Sequence, residues 1–320
     1  MRAIRVSEFG GPEKLSLQSV EDPQPQAGEY LVQVRAAGVN PVDTYIRSGL
    51  HAVNPPLAYT PGSDGAGVIV SAGEGARRFH AGDRVYVAGS RTGSYAELAV
   101  CSDPQLHALP EPVSFAQGAA LGVPYVTAYR ALFQVAQAKP GESVLVHGAT
   151  GGVGLAALQF GAGAGLTMIG TAGTEAGSAL LKAQGATHVL RHAVPEFANQ
   201  LLAITEGRGV DVILEMRADL NLGLDLQCLA RRGRVVIVGS RGPVQINPRD
   251  AMTREASIHG VFLFGAPAED LARAHAAIGA ALRSGLARPV IARALPLEEA
   301  MAAHQAVLES GAQGKIVLVP

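Results

Sequence analysis

The sequence contains only two cysteines, Cys101 and Cys228, and no tryptophan, and charged residues make up only 17% of its 320 residues. Two cysteines cannot form a disulfide framework, and their spacing does not suggest a structural metal site. The formal net charge of −1 gives no global field that would attract nucleic acid or an anionic membrane surface. We therefore expect a protein of a reducing compartment, with neither nucleic acid nor a membrane as its main partner.

Signal-like or membrane-spanning runs are also missing. The N-terminus, Met1–Arg5, leads directly into strand-like alternation without the apolar core of a signal peptide. Residues 143–174 lack charged side chains, but nine glycines interrupt them, and their first five residues resemble a buried parallel strand. These features predict a soluble, cytoplasmic protein.

Hydrophobic residues make up 48% of the chain, enough to bury the cores of one or two domains. The first third consists of short alternating runs separated by Gly and Pro, which predict a compact β-rich domain. These runs are 31–35, 67–70, 84–87 and 95–100.

The sequence pattern changes near Pro124. A helical pattern covers 125–136, and Ala- and Leu-rich helical stretches then separate several strand candidates, at 143–147, 166–171, 210–215, 234–238 and 257–263. Such alternation predicts an α/β fold with a doubly wound parallel sheet. After Pro267 a helix is expected to about Gly285, followed by strands at 289–295 and 315–319 that return to the first domain.

The strongest local signal is the glycine loop at 148–154, which a buried strand enters and a helix leaves. In the pattern G-x-G-x-x-G its positions are Ala149, Gly151 and Gly154. Glycine lets a pyrophosphate approach the backbone, and the helix N-terminus offers unpaired amides and a positive dipole end. The loop lacks the lysine of a P-loop, so we expect a dinucleotide cofactor rather than a nucleoside triphosphate.

The end of the second strand of this domain indicates which dinucleotide binds. An NAD-selective site places an acid there, whereas this chain has the small neutral residues Gly173 and Thr174. We therefore expect NADPH, although Glu175 follows directly. Candidate partners of the 2'-phosphate are Lys182, Arg191 and His192.

Several longer segments resemble the zeta-crystallin branch of the quinone oxidoreductases, in the zinc-independent part of the medium-chain dehydrogenase/reductase superfamily. The similarity covers nearly the whole chain and is carried by 38–49, 59–68, 122–132, 141–148, 238–242 and 246–250. The resemblance implies a GroES-like catalytic domain over 1–123, a Rossmann NADPH-binding domain over 124–264, a C-terminal return over 265–320 and a cleft between the domains. It also implies NADPH-dependent reduction of quinones.

Zinc-dependent relatives carry a catalytic Cys after the Gly-Val-Asn region and a Gly-His-Glu motif after the following Pro. Here the corresponding stretches are 40–43, Asn-Pro-Val-Asp, and 61–64, Pro-Gly-Ser-Asp. The thiolate and imidazole ligands that zinc prefers are therefore replaced. We expect no metal, and an acceptor that is already electrophilic. At 216–219 this chain reads Met-Arg-Ala-Asp where relatives often read Met-Leu-Ala-Asn, which puts two charges beside the expected cofactor site.

The resemblance also assigns site residues. The catalytic candidates are Asn40, Tyr45 and Thr127, of which Asn40 or Tyr45 would stabilise negative charge on the acceptor oxygen. The cofactor candidates are Tyr45, Thr150, Gly151, Gly152, Val153, Gly154, Gly173, His192, Asn221, Val238, Gly239, Ser240, Arg241, Val261, Phe262 and Leu263.

Two alternatives remain open at this point. A reductase of α,β-unsaturated carbonyls would share the fold, the cofactor and the missing zinc ligands. A structural or RNA-binding protein that carries NADPH belongs to another class, and the absence of an aromatic-basic motif disfavours it. One-electron transfer to a quinone also stays open, whereas a hydrolase is disfavoured because no G-x-S-x-G motif is present.

The apolar segment Ser257–Phe264 is predicted to form an edge strand of the nucleotide-binding sheet. Because exposed edges need to be covered, we expect a homodimer or homotetramer that pairs these edges.

Overall fold

The computed structural model describes residues 1–192, 194–309, 311 and 313–320. The chain forms two compact units, the first comprising Met1–Val123 with His275–Pro320 and the second Pro124–Ala274. The domain limits predicted from the sequence, 123/124 and 264/265, stay predictions.

The first unit is built around β-strands. They are β1 (Arg2–Val6), β2 (Leu15–Ser19), β3 (Glu29–Val39), β4 (Asp64–Ala72), β5 (Arg84–Ala88), β6 (Leu98–Ser102) and β7 (Leu106–Ala108). Two short helices, α1 (Pro41–Arg47) and α2 (Phe115–Gly118), accompany these strands. The helix α3 (Gly122–Tyr129) begins where the first segment of this unit ends.

The second unit alternates strands with helices. Its strands are β8 (Ser143–Val146), β9 (Thr167–Ala172), β10 (His188–Arg191), β11 (Val210–Glu215), β12 (Leu229–Ile237) and β13 (Ser257–Gly260). Its helices are α4 (Gly152–Gly163), α5 (Glu175–Ala183), α6 (Phe197–Ile204), α7 (Ala218–Cys228) and α8 (Pro248–Arg254), and α9 (Ala268–Arg283) leads out of it. The chain ends with β14 (Ile291–Pro296), α10 (Ala300–Ala306) and β15 (Lys315–Val319).

The long strand β3 organises the first sheet. The order β14-β15-β3-β4-β5-β7, with β6 also on β3, describes the strands seen in the described residues, and β1 pairs with β2 separately. β15 pairs antiparallel with the last residues of β3, so the C-terminal strands join this sheet. Apolar side chains such as Val32, Val34 and Leu318 form its core. As a result, the residues after β3 and those at the start of β15 come together.

The second sheet has the order β10-β9-β8-β11-β12-β13 in the described residues, and all its neighbouring strands are parallel. The order runs outward in both directions from β8, as in a doubly wound fold. Buried residues of β8 and β11, including Leu145 and Ile213, pack in its core against α6 and α7. The predicted fold class is therefore confirmed.

Some predicted element limits are wrong. The strand expected at 257–263 ends at Gly260, because the backbone turns into a short 3-10 segment at Leu263–Gly265. The helical pattern at 125–136 begins earlier, at Gly122, and continues as a π-helical segment over Arg130–Val135. Within the part of the chain that the structure describes, no helix is both long enough and apolar enough to cross a membrane.

Candidate active site

The glycine loop forms a tight turn between β8 and α4. Gly148 has a φ of +56°, a left-handed conformation that favours glycine, and the amide of Gly151 donates to the carbonyl of Gly148 at 3.2 Å. The helix begins at Gly152, so the predicted pyrophosphate residues Thr150–Val153 lie at its amino end. The unpaired amides and positive dipole of this 12-residue helix can hold an anion there.

Gly154 lies where the first turn of α4 contacts the loop before it. A Cβ added at Gly154 would lie 2.5 Å from Cα and 2.6 Å from the carbonyl oxygen of Ala149. A Cβ added at Gly151 would meet only the carbonyl oxygen of Gly148, at 3.6 Å. Gly154 therefore allows the helix to pack on the loop, whereas Gly151 leaves the space in front of the amides open. This division of roles fits a bound dinucleotide.

The end of β9 brings together the residues predicted to contact the 2'-phosphate. A Cβ on Gly173 would lie 2.9 Å from Cε1 of His192, so the imidazole ring lies against this glycine. Arg191 donates to the carbonyl of Gly173 at 3.4 Å. Thr174 caps α5 by accepting a hydrogen bond from the amide of Gly177. The side chains of an arginine and a histidine therefore flank the backbone at Gly173, and Glu175 lies in the first turn of the helix that follows.

Lys182 does not join this group. It lies in the last turn of α5, about 10 Å along the helix axis from the capped end. Of the three candidates for the 2'-phosphate, the structure thus favours Arg191 and His192.

The loops after β11 and β12 are tied together. The amide of Val238 donates to the carbonyl of Glu215 at 2.8 Å, and the amide of Arg241 donates to Oδ1 of Asp219 at 3.0 Å. Asp219 also forms an ion pair with Arg217 at 2.9 Å. The two charges that depart from the family pattern therefore pair with each other and fix the backbone before Arg241.

Other predicted cofactor residues lie near these loops. Gly239 accepts a hydrogen bond from the amide of Ala218 at 3.0 Å, and Ser240 donates to the carbonyl of Gly242 at 2.9 Å. The amide of Val261 donates to the carbonyl of Ile237 at 3.0 Å, which extends the pairing one residue past β13. Phe262 is 48% exposed, and Leu263 begins the short 3-10 turn.

The structure also contains a buried cluster of three polar side chains that the sequence did not predict. His147 follows β8, Glu215 ends β11 and Asp225 lies in α7. Nε2 of His147 is 2.9 Å from Oδ1 of Asp225 and 3.6 Å from Oε2 of Glu215. Among the described residues, this is the group of side chains whose ligand atoms lie close enough together to hold a metal ion.

Burial of this cluster favours the protonated form of its carboxyl groups. Burial raises the pKa of both Glu215 and Asp225 to about 7, and it lowers the pKa of His147. Two carboxyl groups this close together cannot both ionise easily, so at least one of them is expected to keep a proton near neutral pH. Oε1 of Glu215 also accepts from Nδ2 of Asn221, a predicted cofactor residue, at 3.2 Å. The cluster therefore contacts a residue that is predicted to bind the cofactor.

The first unit contains the predicted catalytic residues Asn40 and Tyr45. Asn40 is the N-cap of α1 and is only 2% exposed. Its backbone amide donates a hydrogen bond to Oδ2 of Asp43 at 2.8 Å. Tyr45 lies in α1 and is half-buried. Thr127, the third catalytic candidate, is 7% exposed in α3 and belongs to the second unit. The structure thus brings Asn40 and Tyr45 onto the same short helix.

Lys315 is the residue of this unit that sequence reasoning missed. Its side chain is 5% exposed, and Nζ donates to Oδ1 of Asn40 and, at 3.2 Å, to Oδ2 of Asp64. Nδ2 of Asn40 donates to the same Asp64 oxygen at 2.9 Å. One signal was available in the sequence, since Lys315 is one of only four lysines and begins the apolar strand segment Lys-Ile-Val-Leu-Val.

Comparisons with known proteins agree with this architecture. Residues 26–111 match the family described as alcohol dehydrogenase GroES-like domain, and residues 152–279 match the family described as zinc-binding dehydrogenase. The human protein named quinone oxidoreductase is 48% identical over 321 aligned positions, which cover 100% of this chain and 98% of the human one.

Solved structures of related proteins resemble this chain over its full length. The quinone oxidoreductase of Escherichia coli complexed with NADPH superposes with a TM-score of 0.90 at 32% identity, covering 100% of both chains. A mycobacterial protein complexed with NADPH superposes with a TM-score of 0.91 at 30% identity, again covering 100% of both chains. The full-length identity to the human protein confirms the resemblance found in the sequence. The chain therefore belongs to the zeta-crystallin-like quinone oxidoreductase family of the medium-chain dehydrogenase/reductase superfamily.

Proposed function

We propose that this protein reduces quinones, above all ortho-quinones and related electron-poor acceptors, with NADPH as the reductant. The observation that carries the proposal is the pairing of a glycine loop that fits a pyrophosphate with a β9 end flanked by Arg191 and His192. Full-length similarity to proteins named quinone oxidoreductase supports the choice of acceptor.

The chain's own residues fit the cofactor. The amides at 150–153 would hold the pyrophosphate, and Arg191 with His192 would hold the 2'-phosphate. The loops at 238–241 and 261–263, with Asn221, would line the rest of the molecule. NADPH would supply a hydride, or electrons singly, to an acceptor carbonyl.

The protein's task during the reaction is to stabilise the charge that develops on the acceptor oxygen. Quinone carbonyls are conjugated and electron-poor, so a hydrogen-bond donor suffices where an alcohol dehydrogenase needs a Lewis acid. Tyr45 is the more accessible donor because it is half-buried, whereas Asn40 is almost fully buried and already bonded to Lys315 and Asp64. We assign Tyr45 the direct contact, with Asn40 as a second donor beside it.

The test is a spectrophotometric comparison of NADPH and NADH oxidation with an ortho-quinone, an enal and an aldehyde. We expect rapid turnover with NADPH and the quinone, slow turnover with the enal and none with the aldehyde. Faster reduction of the enal would replace the proposal with an alkenal or enone reductase. Electron spin resonance during turnover detects any semiquinone and thereby separates one-electron from two-electron transfer.

A further inference from the structure

A family described as zinc-binding implies a metal site, and the donor atoms at the positions where zinc-dependent relatives carry their ligands do not fit one. The segments 40–43 and 61–64, which stand where zinc-dependent relatives carry Cys and His ligands, offer Asn40, Ser63 and Asp64 instead. The ammonium of Lys315 already bonds to both Asn40 and Asp64. The ammonium group of Lys315 therefore places a positive charge between the two segments.

We propose that Lys315 is a positioning residue, a built-in cation that joins these two segments and fixes which way the Asn40 amide points. The proposal rests on the proposed quinone reduction and deepens it, because the fixed amide is the second donor for the acceptor oxygen.

The orientation of Asn40 follows from its two neighbours. An ammonium can only donate hydrogen bonds, and an ionised carboxylate can only accept them. Oδ1 of Asn40 must therefore face Lys315, and Nδ2 must face Asp64, as the structure shows. A reversed amide would place an NH₂ group against the ammonium and an oxygen against the carboxylate. The second hydrogen on Nδ2 is thus held in one direction, and it is the hydrogen that the proposal assigns to the substrate oxygen.

Asp64 also binds the backbone at the start of α3. Its Oδ1 accepts a hydrogen bond from the amide of Val123 at 2.7 Å, in the first turn of α3, while Oδ2 receives Asn40 and Lys315. The side chain of Asp64 is fully buried. Both carboxylate oxygens are therefore engaged, and the group cannot rotate to bind elsewhere without losing these bonds.

A chain of buried polar side chains supports the other side of Asn40. Oδ2 of Asp43 accepts from the backbone amide of Asn40 and from the hydroxyl of Tyr95 at 3.2 Å. That hydroxyl lies 3.2 Å from Nε2 of His304, whose Nδ1 lies 3.2 Å from Nη1 of Arg47. Burial lowers the pKa of Lys315, and the nearby Asp64 and Asp43 act against that shift. The charged groups facing the ammonium are therefore these two carboxyl groups.

The first experiment measures activity in Lys315→Ala and Lys315→Met, with Lys139→Met, at an exposed turn position, as the matched control. For the Lys315 variants we expect kcat to fall by about 10- to 100-fold, the loss that is typical when a residue that orients a site residue is removed. The KM for NADPH should not change. Added ethylammonium should restore part of kcat in Lys315→Ala and none in Lys315→Met, whose side chain fills the space. Full activity in either variant, or no restoration by the amine, would overturn the proposal.

The second experiment does not depend on activity. The chain has five asparagines, so the side-chain amide of Asn40 can be assigned by nuclear magnetic resonance through its loss in Asn40→Ser. We expect its hydrogens to exchange slowly in the wild type and in Lys139→Met, and fast in Lys315→Met. An unchanged Asn40 signal in Lys315→Met would reject the positioning role even if quinone reduction holds. If the wild type reduces no quinone, the proposed function fails while this measurement still tests Lys315.

Should Lys315→Met fail to fold because it leaves Asp64 unpaired, the double variant Lys315→Met/Asp64→Asn removes both charges together. The neutral amide introduced at position 64 can donate to Oδ1 of Asn40, so we expect a folded protein with a reversed Asn40 amide and low kcat. Wild-type kcat in this folded variant would refute the proposal.

Discussion

Nε2 of His147 lies 2.9 Å from Oδ1 of Asp225, although the two residues are 78 positions apart in the chain. The parallel sheet creates this contact, since His147 follows β8 and Asp225 lies on the helix after the adjacent strand β11. Glu215 completes the cluster at the end of β11. The arrangement has consequences for stability that can be measured.

Glu215→Gln should remove part of the pH dependence of folding. Because the pKa of Glu215 rises from 4.5 to about 7 on folding, the folded state keeps a proton that the unfolded state releases. The contribution of Glu215 to stability should therefore fall as pH rises between these values, by up to about 1.4 kcal/mol per pH unit, and level off above them. The free energy of unfolding in urea at pH 5, 6, 7 and 8 measures this.

The neutral amide of Glu215→Gln resembles a protonated carboxyl group, so the variant should be at least as stable as the wild type at pH 8. The difference in stability between the variant and the wild type should grow as pH rises from 5 to 8. The control is Glu74→Gln, at an exposed position. Parallel profiles for the wild type and Glu215→Gln would show that no proton is retained at this carboxyl group.

We expect alanine substitutions of Gly151 and Gly154 to cause different defects, the first in cofactor binding and the second in stability. Gly151 has an ordinary φ of −79°, so Gly151→Ala should fold normally while its methyl group blocks the approach of pyrophosphate. We expect the Kd for NADPH to rise about tenfold or more, equivalent to about 1.4 kcal/mol. Gly154→Ala forces a methyl group into Ala149 and should cost about 1–3 kcal/mol of stability.

Thermal unfolding and fluorescence titration with NADPH distinguish the two glycine variants. If Gly151→Ala binds NADPH as tightly as the wild type, the pyrophosphate does not lie on these amides.

Arg191→Ala and His192→Ala should weaken NADPH binding selectively. The two side chains flank Gly173, so we expect the Kd for NADPH to rise roughly tenfold in each, about 1.4 kcal/mol, with little change for NADH. Calorimetric titration with both cofactors measures the ratio, and Lys139→Ala serves as the control. Equal weakening of NADPH and NADH would place the 2'-phosphate elsewhere.

Tyr45→Phe should lower kcat for quinones only modestly, by about two- to fivefold, because a quinol oxygen can take its proton from water. The affinity for NADPH should not change. Tyr59→Phe is the matched control, since the Tyr59 hydroxyl is buried without a hydrogen-bond partner in the described part of the chain. A collapse of turnover in Tyr45→Phe at unchanged NADPH affinity would instead identify Tyr45 as an essential acid.

The edge strand β13 should pair with a second copy of the chain. Ile258 on this strand is 40% exposed, and Phe262 and Phe264 just after it are 48% and 46% exposed. Ile258→Lys should therefore shift the protein towards monomer at micromolar concentration in sedimentation velocity, whereas Met301→Lys, on α10, should not. A wild type that sediments only as monomer would rule out this assembly.

Local sequence features determined a large part of this protein. The alternation of strands and helices after Pro124 predicted a parallel sheet, and the glycine loop predicted the helix start at Gly152, because hydrophobic periodicity and turn residues are visible over short stretches of sequence. The replacement of zinc ligands at 40–43 and 61–64 could also be found in the sequence, through the family resemblance.

Only the tertiary structure decided which distant polar groups meet. Lys315 reaches Asn40 because β15 pairs with the end of β3, and 275 positions of chain separate the two residues. The meeting of His147, Glu215 and Asp225 likewise depends on strand order. A buried charge or a shared proton is stable only where a partner removes its desolvation cost, and no local pattern specifies that partner. The sequence by itself determined the glycine loop, whereas the fold decided which groups hold the side-chain amide of Asn40 in place.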